Sequence, residues 1–128
     1  MKRKHLLIIE DDKILSKTIE QCLKGRYDVD AAYDGGEGLL YAKQEIYDLI
    51  ILDIMMPVMD GYETTAIIRK FSDKVVADIP IVAITAEAFA EEKSKAFNAG
   101  MNAYLVKPVD MPSLLKVLML FLRDNKRS

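Results

Sequence analysis

The chain has no tryptophan, one cysteine and one histidine among its 128 residues. A single cysteine, Cys22, cannot close an internal disulfide, so cross-linking is excluded as the source of stability. Charge of one sign is also lacking: 18 Lys and Arg against 20 Asp and Glu give a net charge of −2. No large basic field therefore recommends nucleic acid as a direct partner. Long hydrophobic runs are missing as well. Lys2-Arg3-Lys4 precedes Leu6-Leu7-Ile8-Ile9, but that run stops at Glu10 and is too short for a signal-peptide core or a transmembrane helix. The expectation is a cytoplasmic chain without membrane attachment. No repeat, linker or low-complexity segment interrupts it. With 51% hydrophobic and 30% charged residues, it reads as one globular domain over 1-128 with a core to bury.

What is present is a series of short apolar runs that end in acids. Leu49 to Leu52 show no polar alternation, the pattern of a strand covered on both faces in a parallel sheet, and Asp53 stands at its carboxyl end. Pro57 and Asp60-Gly61 then supply loop and turn chemistry. Leu6 to Ile9 repeats the arrangement and ends in Glu10, Asp11 and Asp12. Asp12 is placed as the N-cap of a helix from Lys13 to Lys24 that Gly25 terminates. That helix should bury Ile14, Leu15, Thr18, Ile19, Cys22 and Leu23, which makes Cys22 an expected buried, inert thiol. Val29 to Tyr33 reads as a strand, and Glu37 to Gln44 as a helix after the Asp34-Gly35-Gly36 turn. Helices are expected from Tyr62 to Phe71 and from Glu87 to Asn98, the latter facing inward through Ala86, Phe89, Ala90, Ala96 and Phe97. Ile81 to Ile84 and Ala103 to Val106 complete five strands, and Asp110 with Pro112 opens a last helix.

Five strands alternating with five helices describe an α/β doubly wound parallel sheet. Its carboxyl edge would gather Glu10 and Asp11, Asp53, Thr85 and Lys107, an edge where open α/β sheets bind ligands. Read singly, each residue has a structural alternative. Glu10-Asp11-Asp12 suits any helix start, Thr85 any strand end, Lys107 any turn before a proline, and His5 is expected to be structural or solvent-facing. Met55, Met56 and Met59 could be a soft apolar loop cluster or core filling.

Four blocks carry more weight together: Leu7-Ile8-Ile9-Glu10-Asp11, Leu52-Asp53-Ile54-Met55-Met56-Pro57-Val58-Met59-Asp60-Gly61, Pro80-Ile81-Val82-Ala83-Ile84-Thr85-Ala86 and Ala99-Gly100-Met101-Asn102-Ala103-Tyr104-Leu105-Val106-Lys107-Pro108. In their order and spacing the chain resembles the receiver domain of two-component response regulators over almost its whole length. Some blocks also resemble the receivers of hybrid sensor kinases. The resemblance implies a flavodoxin-like (βα)5 three-layer sandwich with sheet order 2-1-3-4-5. It implies Asp53 as phosphoacceptor, and Mg²⁺ held by Asp11, Asp53 and the backbone carbonyl of Met55, with Glu10 acting through water. By the same resemblance Thr85 and Lys107 contact the phosphoryl group, Met55 and Glu87 tune its lifetime, Thr85 and Tyr104 form a switch, and the Lys107-Pro108 peptide is cis. The chain would not be a turnover enzyme, beyond promoting its own aspartyl phosphorylation and dephosphorylation.

Rival functions fit less well. A flavin site needs a hydroxyl- and glycine-rich phosphate loop after the first strand, where Glu10-Asp11-Asp12 would repel the anion. A haloacid-dehalogenase-like phosphatase wants a second acid where Met55 stands. A pseudo-receiver that only binds partners would be favoured had Asp53, Thr85 or Lys107 been replaced, and none is. The expected partners are a sensor histidine kinase or a histidine-phosphotransfer protein and an output partner the sequence does not name. A homodimer through the last helix is a further expectation, because Leu120 lies opposite the stripe Met111, Leu114, Leu115, Leu118 and Leu122, with Met119 and Phe121 beside it. The chain closes at Arg123-Asp124-Asn125-Lys126-Arg127-Ser128, so it is expected to be a free-standing regulator or a receiver cut from a larger protein.

Overall fold

The computed structural model describes residues 3–122. Arg123 to Ser128, on which the expectation of a free-standing or excised domain rests, lie outside the described residues, as do Met1 and Lys2. The elements run β1 (His5–Ile9), α1 (Lys13–Leu23), β2 (Asp28–Ala32), α2 (Gly35–Gln44), β3 (Leu49–Asp53), α3 (Gly61–Arg69), α4 (Lys74–Ala77), β4 (Ile81–Thr85), α5 (Ala90–Ala99), β5 (Ala103–Val106) and α6 (Met111–Leu122). All strands pair in parallel, in the order β2-β1-β3-β4-β5. The doubly wound sheet is the one expected from the strand pattern, and its order is the one the family resemblance implies.

The uninterrupted apolar strands are buried for the reason their sequence suggests: both faces are covered. Leu7, Ile9, Ile50 and Leu52 point to one side, where they meet Ile68 of α3 and Ala96 of α5, with Leu39 and Tyr41 of α2 at the margin. Leu6, Ile8, Leu49 and Ile51 point to the other, against Ile19 and Leu23 of α1 and Leu114 and Leu118 of α6. Asp side chains start most of the helices. Asp12 accepts from Ile14 and Leu15, Asp34 from Glu37, and Asp60 forms a reciprocal capping box with Glu63. At the opposite edge of the sheet, one Asp30 oxygen receives the His5 ring nitrogen at 2.9 Å and the Tyr47 hydroxyl at 2.7 Å, so His5 is structural.

Three local expectations are corrected. In α1 the buried line is Ser16, Ile19 and Leu23, while Ile14, Thr18 and Cys22 are exposed. The six apolar positions span roughly half the helix circumference, more than one contact with a sheet can cover. α5 begins at Ala90, not Glu87. The Glu87 amide is instead bonded to the Thr85 hydroxyl at 3.1 Å, and Phe89 at the N-cap makes no side-chain cap. Ala96 is therefore its one buried residue, and Ala86, Phe89, Ala90 and Phe97 are exposed. Finally, the polar loop before β4 contains α4, started by the Asp73 carboxylate on the Val75 amide, which makes six helices instead of five among the described residues.

α2 crosses β1 closely at Gly38, where an added Cβ would lie 2.4 Å from Ile9 Cδ1 and 2.8 Å from Ile9 Cγ1. Ile9 is fully buried and has little room to retreat. Gly38→Ala should gain about 1 kcal/mol in helix propensity but lose about 1–3 kcal/mol to overpacking, so urea denaturation should show a net loss. Removing Cδ1 with Ile9→Val in the same chain should recover part of that loss, a non-additivity expected only of residues in contact.

Candidate functional site: an acidic cluster at the strand ends

The order of the strands places β1 beside β3 at the centre of the sheet, so the residues at their carboxyl ends converge at one edge. Glu10 continues the β1 path, its amide bonded to Ala32 O at 3.1 Å. Asp53 ends β3, and the next amide, Ile54 N, is tied to Ile84 O at 2.9 Å. Lys107 comes directly after β5, with its amide on Thr85 O at 2.7 Å. Carboxylate oxygens of Glu10, Asp11 and Asp53 all lie within 4.8 Å of one another. The Lys107 ammonium stands 3.4 Å from Glu10 Oε1 and 3.5 Å from Asp53 Oδ1. Glu10 and Asp53 are buried whereas Asp11 is exposed, so the cluster has a wet side and a dry floor.

The hydrogen bonds leave this cluster incomplete. Glu10 Oε2 accepts from the Asp12 amide at 3.0 Å and Asp53 Oδ1 from the Met55 amide at 3.1 Å. Glu10 Oε1 and Asp53 Oδ2 are buried without a hydrogen-bond partner, an arrangement that is costly unless something positive completes it. Burial first, then the neighbouring Asp53 carboxylate, push Glu10 from its ordinary 4.5 up to about 8, against the pull of the Asp12 amide and Lys107. Burial raises Asp53 too, although Glu10, Lys107 and the Met55 amide oppose it. For Lys107 burial works downward, but Asp53 and Glu10 outweigh it and hold the ammonium above its usual range. Three carboxylates against one ammonium, with two orphaned oxygens, form an all-oxygen donor set that a hard divalent cation fits.

The remaining residues singled out by sequence stand around this cluster. Thr85 is buried at the end of β4, its hydroxyl accepting from Glu87 N. Met55 is exposed and Met56 buried, and the Lys107–Pro108 peptide is cis. Tyr104 on β5 is half-buried; its ring meets Phe97 edge-on at 6.5 Å between centroids, and Lys93 Nζ lies 5.4 Å from its centre. Sequence reasoning gave Gly61 a turn and missed its larger task. The Gly61 amide bonds Ile54 O at 2.9 Å, and an added Cβ would sit 2.7 Å from Ile54 Cα and 2.8 Å from Asp53 O. Only a residue without a side chain lets α3 start against the backbone of Asp53. The Asp-Gly dipeptide was the available signal, but it marks turns generally.

The raised Glu10 gives the metal-free protein a pH dependence of definite sign. As pH climbs between 4.5 and about 8, the unfolded chain releases this proton before the folded one, so folding stability falls through that window. Without metal, the melting temperature of Glu10→Gln should fall less over that range than that of the parent. Parallel pH profiles for the two proteins would contradict the assignment.

This arrangement has relatives among known proteins. The model of the response regulator receiver domain matches residues 6–119. The chain is 38% identical, over 97% of its length, to a probable transcriptional regulator, ycf29, of Porphyra purpurea, and spans 59% of that protein. It is similar in structure to the chemotaxis protein CheY4 of Vibrio cholerae, with a TM-score of 0.87 at 31% identity, covering 94% of this chain and 99% of that one. It is also similar to the receiver domain of a sensor histidine kinase from Pseudomonas aeruginosa whose structure has a magnesium ion coordinated in the active site cleft. There the TM-score is 0.85 at 32% identity, with 95% and 99% of the two chains covered. A matching family model over most of the chain, a parallel sheet of the same order and acids gathered at its carboxyl edge agree: the chain belongs to the response regulator receiver domain family of two-component signalling.

Proposed function

We propose that this chain, as a single receiver unit, relays a signal by carrying a phosphoryl group on Asp53, received from a phosphohistidine of a sensor histidine kinase or a histidine-phosphotransfer protein. The observation that supports this best is the Asp53 carboxylate itself, buried with one oxygen engaged by Met55 N, the other unpaired, and Lys107 at 3.5 Å. An Asp53 oxygen attacks phosphorus, the P–N bond to the donor imidazole breaks with its electron pair going to that nitrogen, and a P–O bond forms. Lys107 opposes the repulsion between the two anions and remains beside the phosphoryl oxygens, where negative charge accumulates. The Thr85 hydroxyl turns from its bond with Glu87 N to donate to one of them. Glu10, Asp11, Asp53 and the Met55 carbonyl would hold Mg²⁺, with Glu10 acting through water, and the ion would supply further positive charge at the site. The magnesium in the related Pseudomonas receiver supports that choice of ion. Water later attacks the same phosphorus, the P–O bond to Asp53 breaks with its electron pair returning to the carboxylate, and inorganic phosphate leaves, so the chain promotes its own reset without being a turnover enzyme.

Movement of Thr85 toward the phosphoryl group frees space for Tyr104 to turn inward, and the surface formed by α5, β5 and α6 changes shape for a partner. The exposed Met119 and Leu120 of α6 offer a second apolar surface, suited to pairing with another copy. The chain spans 59% of the relative from Porphyra. No helix among the described residues is long and apolar enough to cross a membrane.

Two measurements test the proposal. A small phosphodonor with Mg²⁺ should add one phosphoryl group by intact mass, and Asp53→Asn should remove the addition, because an amide is not nucleophilic and weakens the metal site. Equal labelling of the variant would move the acceptor elsewhere. Independently, Mg²⁺ should raise the melting temperature, by mass action worth about 2.7 kcal/mol at roughly a hundred times Kd. Asp11→Asn should stabilise the metal-free protein and blunt that rise; a melting curve indifferent to Mg²⁺ would count against the metal site.

A further inference from the structure

α5 is tied to α3 at two places of very unequal strength. At its C-terminal end the Arg69 guanidinium is surrounded by acceptors: Gly100 O at 2.9 and 2.7 Å, Ala77 O and Ile79 O at 2.7 Å each, and Asn102 Oδ1 at 2.9 Å. Gly100 adopts a left-handed conformation with φ 107°, and an added Cβ there would come within 3.1 Å of Arg69 Cγ, so that end is closely fitted. The other half of α5 has no such support. Its N-cap residue makes no side-chain bond and only Ala96 is buried. What holds it is the Tyr62 hydroxyl donating to Glu92 Oε1 at 2.7 Å, with Lys95 Nζ 4.9 Å above the same ring and Lys93 Nζ 5.4 Å from the Tyr104 ring. Burial and the Glu92 carboxylate push the Tyr62 phenol above its usual range, so it remains a donor at neutral pH.

We infer that the Tyr62–Glu92 hydrogen bond is a latch, and that α5 swings about its Arg69-bound Gly100 end when the latch opens. Tyr62 is the second residue of α3, directly after the Gly61 that is bonded to Ile54 O and packed on the backbone of Asp53. A shift of the Asp53 loop therefore moves the donor of the latch with it. This route from the acidic cluster to α5 is separate from Thr85 and Tyr104, and the latch is closed with Asp53 unphosphorylated.

Hydrogen exchange on the metal-free protein tests the latch without any phosphoryl chemistry. Tyr62→Phe keeps the ring and removes only the donor. It should speed exchange of the Lys93, Ser94 and Lys95 amides by roughly tenfold, the loss of one hydrogen bond to a charged group. Gly100 and Met101, whose amides bond Phe97 O and Ala96 O, should stay within roughly twofold because the Arg69 anchor is intact. Glu92→Ala should act on the same amides, and the double variant should be no faster than the faster single one, because both remove one shared bond. Unchanged exchange at Lys93 to Lys95 in Tyr62→Phe would overturn the latch. Equal acceleration at Gly100 and Met101 would overturn the pivot, and additive effects in the double variant would show that the two side chains act apart.

Discussion

Two carboxylates buried around one ammonium set the terms on which this domain exists. Glu10 and Asp53 lose most of their water at the sheet edge, and Lys107 is too little charge to balance them and Asp11 together. Glu10 meets part of that cost by holding its proton up to about pH 8, and the rest requires a backbone that cannot relax. β1, β3 and β4 supply that backbone: each has an unbroken run of four apolar residues, is covered on both faces and is hydrogen-bonded on both sides. The core thus does more than stabilise the fold. It holds an unfavourable arrangement in place, which a cation bound among the carboxylates would relieve.

Much of this was legible in the residues. A strand buried on both faces has a simple signature, an apolar run without alternation, and the acids that end those runs had to share an edge once the sheet was parallel. Helix phase was harder to read. The pattern of apolar letters in α1 could not say that Ser16 would be buried and Ile14 exposed, because that depends on which arc of the helix the sheet touches. Arg69 was invisible as well. Its acceptors are backbone carbonyls and one amide oxygen 8 to 33 residues further on, and nothing in the letters around it distinguishes it from a surface arginine at a helix end. The late start of α5 likewise reflects the Thr85 hydroxyl capturing the Glu87 amide, a tertiary preference that overrides helical periodicity.

The two helices flanking β5 in sequence differ in how they are held. α6 sinks Leu114, Leu118 and Leu122 into the core, whereas α5 contributes Ala96 alone. At roughly 25 cal/mol per Å² of apolar surface buried, leucines fix a helix and a single alanine does not. Of the two, α5 is therefore the compliant one, while α6 stays firm. A small change at the strand ends then has an inexpensive place to be expressed.

Cys22 gives the exposed face of α1 a practical value. It is the chain's single thiol, placed in the last turn of a helix whose first turn begins beside the acids. A maleimide dye or spin label attached there would report on the domain from the end of α1 remote from the strand-end chemistry. No competing cysteine would have to be removed first. With tryptophan lacking, that one sulfur atom is where an optical or paramagnetic signal can be introduced by coupling alone.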